Sequence, residues 1–247
     1  MRSFGVTDVG KKRKINQDYL FFSDQPVGCF PNLYIVADGM GGHKAGDKAS
    51  SYAVTRFVEL SRKMGEMHPF VAMEKLIAQV NEEVFKISNQ QEEYSGMGTT
   101  FVAATVVDDV VYTMNIGDSR LYFYDGESIR QITMDHSLVE ELVRAGQLEP
   151  EESKNHPQKN IITRAIGVYE NMKPDFFKVP IKKNQKILLC SDGLSNMVDD
   201  EMLERILSSE ESVEKLAENC KEEALFFGGT DNIAVVIAQM DDRGCAQ

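Results

Sequence analysis

Five aspartates stand where apolar runs begin or end. Asp38 follows Leu-Tyr-Ile-Val-Ala and precedes Gly39; Asp192 follows Ile-Leu-Leu-Cys-Ser and precedes Gly193. Asp231 lies just ahead of the run that starts at Ile233, Asp118 ends Val-Tyr-Thr-Met-Asn-Ile-Gly, and Asp18 opens Tyr-Leu-Phe-Phe. Carboxylates at strand ends converge if the strands share a sheet edge. Unpaired there, they repel one another and their pKa values rise. One or two divalent cations remove that conflict. Oxygen donors without His or Cys suit hard ions, Mg²⁺ or Mn²⁺, rather than Zn²⁺. Two such ions side by side acidify a shared water and clamp a phosphoryl oxygen in line with it. Taken singly, each aspartate is a turn or cap residue before it is a ligand. Five in this arrangement bring the two readings level.

The residues around them narrow the chemistry. The loop from Asp38 to Asp47 is glycine-rich, and Gly41 and Gly46 have the spacing of a nucleotide phosphate loop. Asp47 stands where that loop needs Lys, and a carboxylate there repels a nucleotide phosphate. The glycines instead let backbone pass close to a metal, where a bare carbonyl serves as ligand; the plainer alternative is a flexible strand-to-helix loop. In Lys11-Lys12-Arg13-Lys14 the lysines read as a solvated face. Arg13 has a sharper use, because a guanidinium fork captures a phosphate that metals hold from the other side. His43 is a candidate general acid for the leaving alkoxide, set against an exposed loop histidine. No Cys is followed six residues later by Arg, which removes a cysteine-nucleophile phosphatase mechanism.

These positions need a scaffold. Short β-type runs, Phe4–Val9, Tyr19–Phe22 and Leu33–Ala37, precede two stretches of helical period, one carrying Ala49, Ala53, Phe57 and Leu60, the other Met73, Ile77, Val80, Val84 and Ile87. A strand block follows: Thr99–Val107, Val110–Asn115, Arg120–Tyr124 and Ile129–Ile132. Its breaks at Asp108-Asp109 and Asp125-Gly126 are short enough for antiparallel hairpins. Residues 136–160 are polar with one short helical pattern and read as a mobile surface excursion. Lys186–Cys190 is a buried strand, a helical region spans Asp200 to about Phe227, and Ile233–Ala238 is a last strand. Grouped strands and grouped helices without a linker predict one α+β domain over residues 1–247.

Composition sets the outer bounds. Hydrophobic residues make up 42% and charged residues 27% of 247, as in a globular chain. Twenty-seven Lys+Arg against 39 Asp+Glu leave a net charge of -12, which disfavours nucleic acid and anionic membranes as partners. Cys29, Cys190, Cys220 and Cys245 form no C-x-x-C pair and fit free thiols in a reducing compartment. Met1–Lys14 has no apolar core of a secretory leader, and no apolar run approaches ~18 residues. A cytoplasmic location is expected.

The motifs together resemble the PP2C-type (PPM) metal-dependent protein phosphatases, in particular their compact bacterial members. The matching stretches, in family order, are Arg13-Lys-Ile-Asn-Gln-Asp18, Val36-Ala-Asp-Gly-Met-Gly-Gly-His43, Gly98-Thr-Thr100, Gly117-Asp-Ser-Arg120, Asp135-His-Ser137, Ile162-Thr-Arg-Ala-Ile-Gly167, Ser191-Asp-Gly-Leu194 and Gly229-Thr-Asp-Asn232. The resemblance implies a four-layer αββα sandwich, two antiparallel β-sheets flanked by pairs of helices, with the metal site at one end. It implies that Asp38 bridges two Mn²⁺ or Mg²⁺ ions, with Asp192 and Asp231 on the first and the Gly39 carbonyl on the second. Asp18 would act near the second, Asp118 with Asp192 would hold a weaker third, Arg13 would bind phosphate, and 136–160 would be a flap. The chain departs from many eukaryotic members in carrying Gln17 before Asp18 and Met40 where they place histidine, with His43 three residues on.

The expected activity is single-step hydrolysis of phosphoserine and phosphothreonine by a hydroxide held between two ions. Phosphorylated proteins, a serine/threonine kinase among them, are the expected partners of a monomer. Two rival readings are a catalytically silent phosphoprotein-binding module and a phosphatase of small metabolites.

Overall fold

The computed structural model describes residues 1–41, 45–153 and 156–241. One sheet runs in the order β1 (Arg2–Asp8), β11 (Ile233–Gln239), β10 (Lys186–Cys190), β7 (Arg120–Tyr124), β8 (Ile129–Gln131). The other runs β2 (Asp18–Ser23), β3 (Leu33–Met40), β5 (Phe101–Val107), β6 (Val110–Ile116), β9 (Asp175–Pro180), with the two-residue β4 (Gly98–Thr99) paired to β3. Every one of these pairings is antiparallel.

Alternation along the strands explains the layers. In β3, Leu33, Ile35 and Ala37 pack outward against α1 (Ala45–Ser61) and α2 (Pro69–Gln90), whereas Tyr34 and Val36 face the other sheet. In β11, Ile233, Val235 and Ile237 meet α6 (Asp200–Ser208) and α7 (Val213–Phe226), whereas Ala234, Val236 and Ala238 turn inward. Runs within the central strands, Leu33–Ala37 and Ile233–Ala238 among them, are therefore apolar at every position, because helices cover one face and a sheet the other. The result is the α+β, four-layer αββα sandwich expected from the motifs.

The hairpins form where the sequence placed them. Asp108 and Asp109 both adopt positive φ, 47° and 61°, as a two-residue turn between β5 and β6 requires. Three expectations are corrected. The helical stretch from Asp200 is two helices, because Ser209 turns extended and Ser212 caps α7 by accepting from the Lys215 amide. The run from Thr99 is interrupted at Thr100, whose amide leaves the sheet ladder to donate to the Asp38 carbonyl at 2.9 Å. β9 was not expected at all.

Residues 136–160 contain two short helices, α3 (Leu138–Arg144), capped by Ser137, and α4 (Pro150–Ser153). The two legs of the excursion pair with each other through Ser137 and Ile162.

Candidate metal centre and active site

The sheets deliver the five aspartates to one end of the sandwich. Asp18 opens β2 directly opposite Asp38 in β3. Asp192 follows β10 and begins the short helix α5 (Asp192–Ser195), and Asp231 precedes β11, whose register with β10 pairs Cys190 with Val235. Asp118 lies in the turn between β6 and β7. Glycine permits the convergence: a Cβ on Gly39 would lie 2.0 Å from the Gly46 carbonyl oxygen, and one on Gly193 1.8 Å from that of Asn232. Gly39 is thus required by backbone meeting backbone, a reason more local than the open metal approach inferred from sequence.

Hydrogen bonds then hold the carboxylates of Asp18 and Asp231 and the backbone of Asp38. Ser191 Oγ donates to Asp18 Oδ2 at 2.6 Å and accepts from the Ala234 amide. The Asp38 amide donates to Thr100 Oγ1, which also bonds Ser119 Oγ beside Asp118. Asn232 is a second node, accepting from the Gln17 amide and donating to the carbonyls of Val9 and Ile15. It thereby ties the segment bearing Arg13 and Asp18 to Asp231. Arg13 Nη2 donates to Asp231 Oδ2 at 2.7 Å with its side chain half exposed. Thr100, Ser191 and Asn232 were not singled out from sequence, although each lies inside a quoted motif, and Gln17 was noted only as a departure from eukaryotic relatives.

Electrostatics make the cluster unstable by itself. Burial, followed by the charges of Asp192 and Asp231, pushes the Asp18 carboxyl up to about 8 even though Ser191 opposes the shift. Burial, with the neighbouring Asp192 and Asp135, pushes Asp118 up to about 8 as well. Asp38 is raised well above the usual range by burial and by Asp18, Asp192, Asp118 and Asp231 in turn. Asp192 rises for the same two reasons, burial first and Asp231 second. Asp38 is the member that feels each of the other four.

A hard cation fits this arrangement. Asp18 Oδ1 and Asp192 Oδ1 are buried acceptors without a hydrogen-bond partner, the vacant valence a metal would use. Among the described residues no three such side chains close into a finished cage. Asp231 is engaged by Arg13 and Asp18 by Ser191 instead. We read the cluster as an open ligand set, because the unpartnered oxygens and shared repulsion are what a cation would relieve. Beside it lies a cleft of about 690 Å³, floored by Asp118 and Asp192 and walled by Ser137, Glu140 and Lys159 of the 136–160 excursion. His43 lies outside the described residues, and its candidate role with it.

The family model described as Protein phosphatase 2C matches residues 10–230, so the chain belongs to that family. It is 40% identical over 244 residues to the serine/threonine phosphatase stp of Listeria monocytogenes, covering 95% of this chain and 94% of that protein. The crystal structure of the serine/threonine phosphatase Stp1 from Staphylococcus aureus superposes with a TM-score of 0.90 at 33% identity, covering 97% of this chain and 94% of that one. The catalytic domain of the serine/threonine protein phosphatase PstP, in complex with two manganese ions, superposes with a TM-score of 0.85 at 31% identity and covers 98% of both chains.

Proposed function

We propose that this chain is a protein serine/threonine phosphatase that hydrolyses phosphoserine and phosphothreonine with two Mn²⁺ or Mg²⁺ ions. The observation that carries the reading is the meeting of five carboxylates, four of them raised by burial and by neighbouring carboxylate charge and two with unpartnered buried oxygens, in a protein phosphatase 2C chain. The PstP structure with two manganese ions supports Mn²⁺ as the first choice. No aspartate of the set is replaced, which disfavours the silent binding module.

Asp38, Asp192 and Asp231 would hold the pair of ions together with the Gly39 carbonyl, Asp18 would act beside the second, and Asp118 with Asp192 would take a weaker third. When bound, the ions supply an acidified water and a clamp on the phosphoryl oxygens. The rest is done by the chain. Arg13, on a half-exposed segment anchored by Asn232, turns its guanidinium from Asp231 to the phosphate and steadies the equatorial oxygens. Buried Ser191 and Thr100 keep Asp18 and Asp38 in place, so no carboxylate reorganises as charge develops. His43 is the candidate that returns a proton to the leaving alkoxide.

The partners follow from the chemistry: phosphorylated proteins, a serine/threonine kinase among them, approach a monomer in the cytoplasm, the 136–160 segment acting as a flap beside the cleft. The net charge of -12 disfavours nucleic acid and an anionic membrane as partners. Among the described residues no helix is long and apolar enough to cross a membrane.

EDTA should abolish turnover of p-nitrophenyl phosphate and Mn²⁺ should restore it; turnover that persists in EDTA contradicts the reading. A phosphothreonine peptide should be hydrolysed in preference to sugar phosphates, and the reverse order would favour the metabolite phosphatase. Replacing Arg13→Ala should lower kcat/KM on the order of 100-fold, the loss typical of one transition-state donor.

A further inference from the structure

The motif Asp135-His-Ser137 has no part in the chemistry above, yet His136 is 1% exposed and every polar atom it owns is engaged. Its backbone amide donates to the Gly117 carbonyl at 2.9 Å, and its carbonyl accepts from the Thr163 amide at 2.8 Å. Its Nδ1 accepts from the Gly117 amide at 3.1 Å. A backbone N–H can only donate, so Nδ1 carries a lone pair and the proton of the neutral ring sits on Nε2. Nε2–H therefore donates to Asp175 Oδ2 at 3.1 Å. Arg164 Nη1 lies 3.2 Å from the same nitrogen but cannot donate to a protonated atom; its partner is Asp175 Oδ1 at 3.0 Å.

His136 grips both polar backbone groups of Gly117, the residue before Asp118. Asn115 Nδ2 holds the same Gly117 carbonyl from the opposite side at 3.1 Å and also reaches the Met134 carbonyl. Next to His136, the Leu138 amide donates to the Ile161 carbonyl and Ser137 pairs with Ile162, so both legs of the 136–160 excursion end on this residue. Asp135, one residue back, receives Arg120 from the far side of the Asp118 turn through both carboxylate oxygens.

From these contacts we propose that His136 is a positioning residue: its imidazole fixes the Gly117 amide, and so the reach of Asp118, while its backbone joins that turn to the two legs of the flap. The inference rests on the reading of Asp118 as a ligand of the weaker ion. Flap placement and Asp118 geometry are then one mechanical unit. Outer groups that orient a ligand typically govern metal affinity by 10–100-fold.

Two near-isosteric replacements separate this role from mere filling of space. In His136→Asn the amide oxygen takes the place of Nδ1 and keeps the Gly117 bond. In His136→Gln the amide nitrogen takes the place of Nε2 and keeps only the Asp175 bond. The experiment reads hydrogen exchange at the Gly117 amide and, by calorimetry, the Mn²⁺ step that Asp118→Asn removes. His136→Gln should exchange at Gly117 roughly tenfold faster and bind in that step roughly 10- to 100-fold more weakly, with His136→Asn close to wild type in both. Equal behaviour of the two variants in both readouts overturns the proposal. A wild-type chain without any Mn²⁺ step that depends on Asp118 is a distinct result, and overturns the reading of Asp118 together with the inference built on it.

Discussion

Replacing Asp38→Asn should abolish hydrolysis of an aryl phosphate and, in EDTA, raise the melting temperature. The two effects share one cause. Asp38 faces Asp18 across β2 and β3 and feels four other carboxylates, so burial and its neighbours both oppose its charge. An amide of the same shape keeps the oxygen, removes the charge and would no longer serve both cations as proposed for Asp38. Loss of a bridging ligand removes several kcal/mol of transition-state stabilisation, on the order of 1,000-fold or more in kcat. Relief of buried repulsion acts in the opposite direction on the metal-free fold. Asp192→Asn should behave likewise, since its Oδ1 is buried without a partner. Unchanged turnover in either variant contradicts the site, and a lower melting temperature in EDTA contradicts the electrostatic account.

The metal-free protein should lose stability as pH rises from about 4 to about 8, and Mn²⁺ should suppress that loss. Asp18 and Asp118 are each raised to about 8 in the folded chain against an ordinary value of 3.8. Between those limits the folded state holds protons that the unfolded state has released. Stability is thus complete below the unfolded pKa and lost as pH climbs through the folded one. Raising one buried carboxylate this far corresponds to several kcal/mol, on the order of 5 for a fourfold-decade displacement, shared among coupled groups. Bound cations favour the ionised carboxylates and reverse the slope. Denaturant titrations at pH 5 and 8, with EDTA and with Mn²⁺, read this directly. A metal-free stability that is flat or increases over this interval contradicts the clustering.

Most of the scaffold was legible because burial on both faces leaves an unmistakable mark. Runs such as Ile187–Cys190 and Ile233–Ala238 are apolar at every position, as strands between a sheet and a helix layer must be. β9 escaped because it is an edge strand: Asp-Phe-Phe-Lys-Val-Pro pairs on one side with β6, exposes Lys178 and ends in Pro180. The aspartates were legible by their flanking glycines and strands. Their supports were not, because Ser191 reaches Asp18 across 173 residues and Asn232 reaches Gln17 across 215. Such pairings follow from the way the two sheets pack face to face, β2 on one and β10 and β11 on the other, which a reading of local pattern does not supply. His136 was quoted only as part of a motif; its partners Gly117, Thr163 and Asp175 meet it from three separate segments.

Side chains remote in sequence are proposed to hold two hard cations at the end of the sandwich. Anomalous scattering from crystals of the folded chain soaked in Mn²⁺ tests this most directly. Two strong peaks are expected within coordination distance of Asp38, one shared with Asp192 and Asp231 and the other with the Gly39 carbonyl. Manganese-saturated, folded protein with no peak among residues 38, 192 and 231 would contradict the proposal.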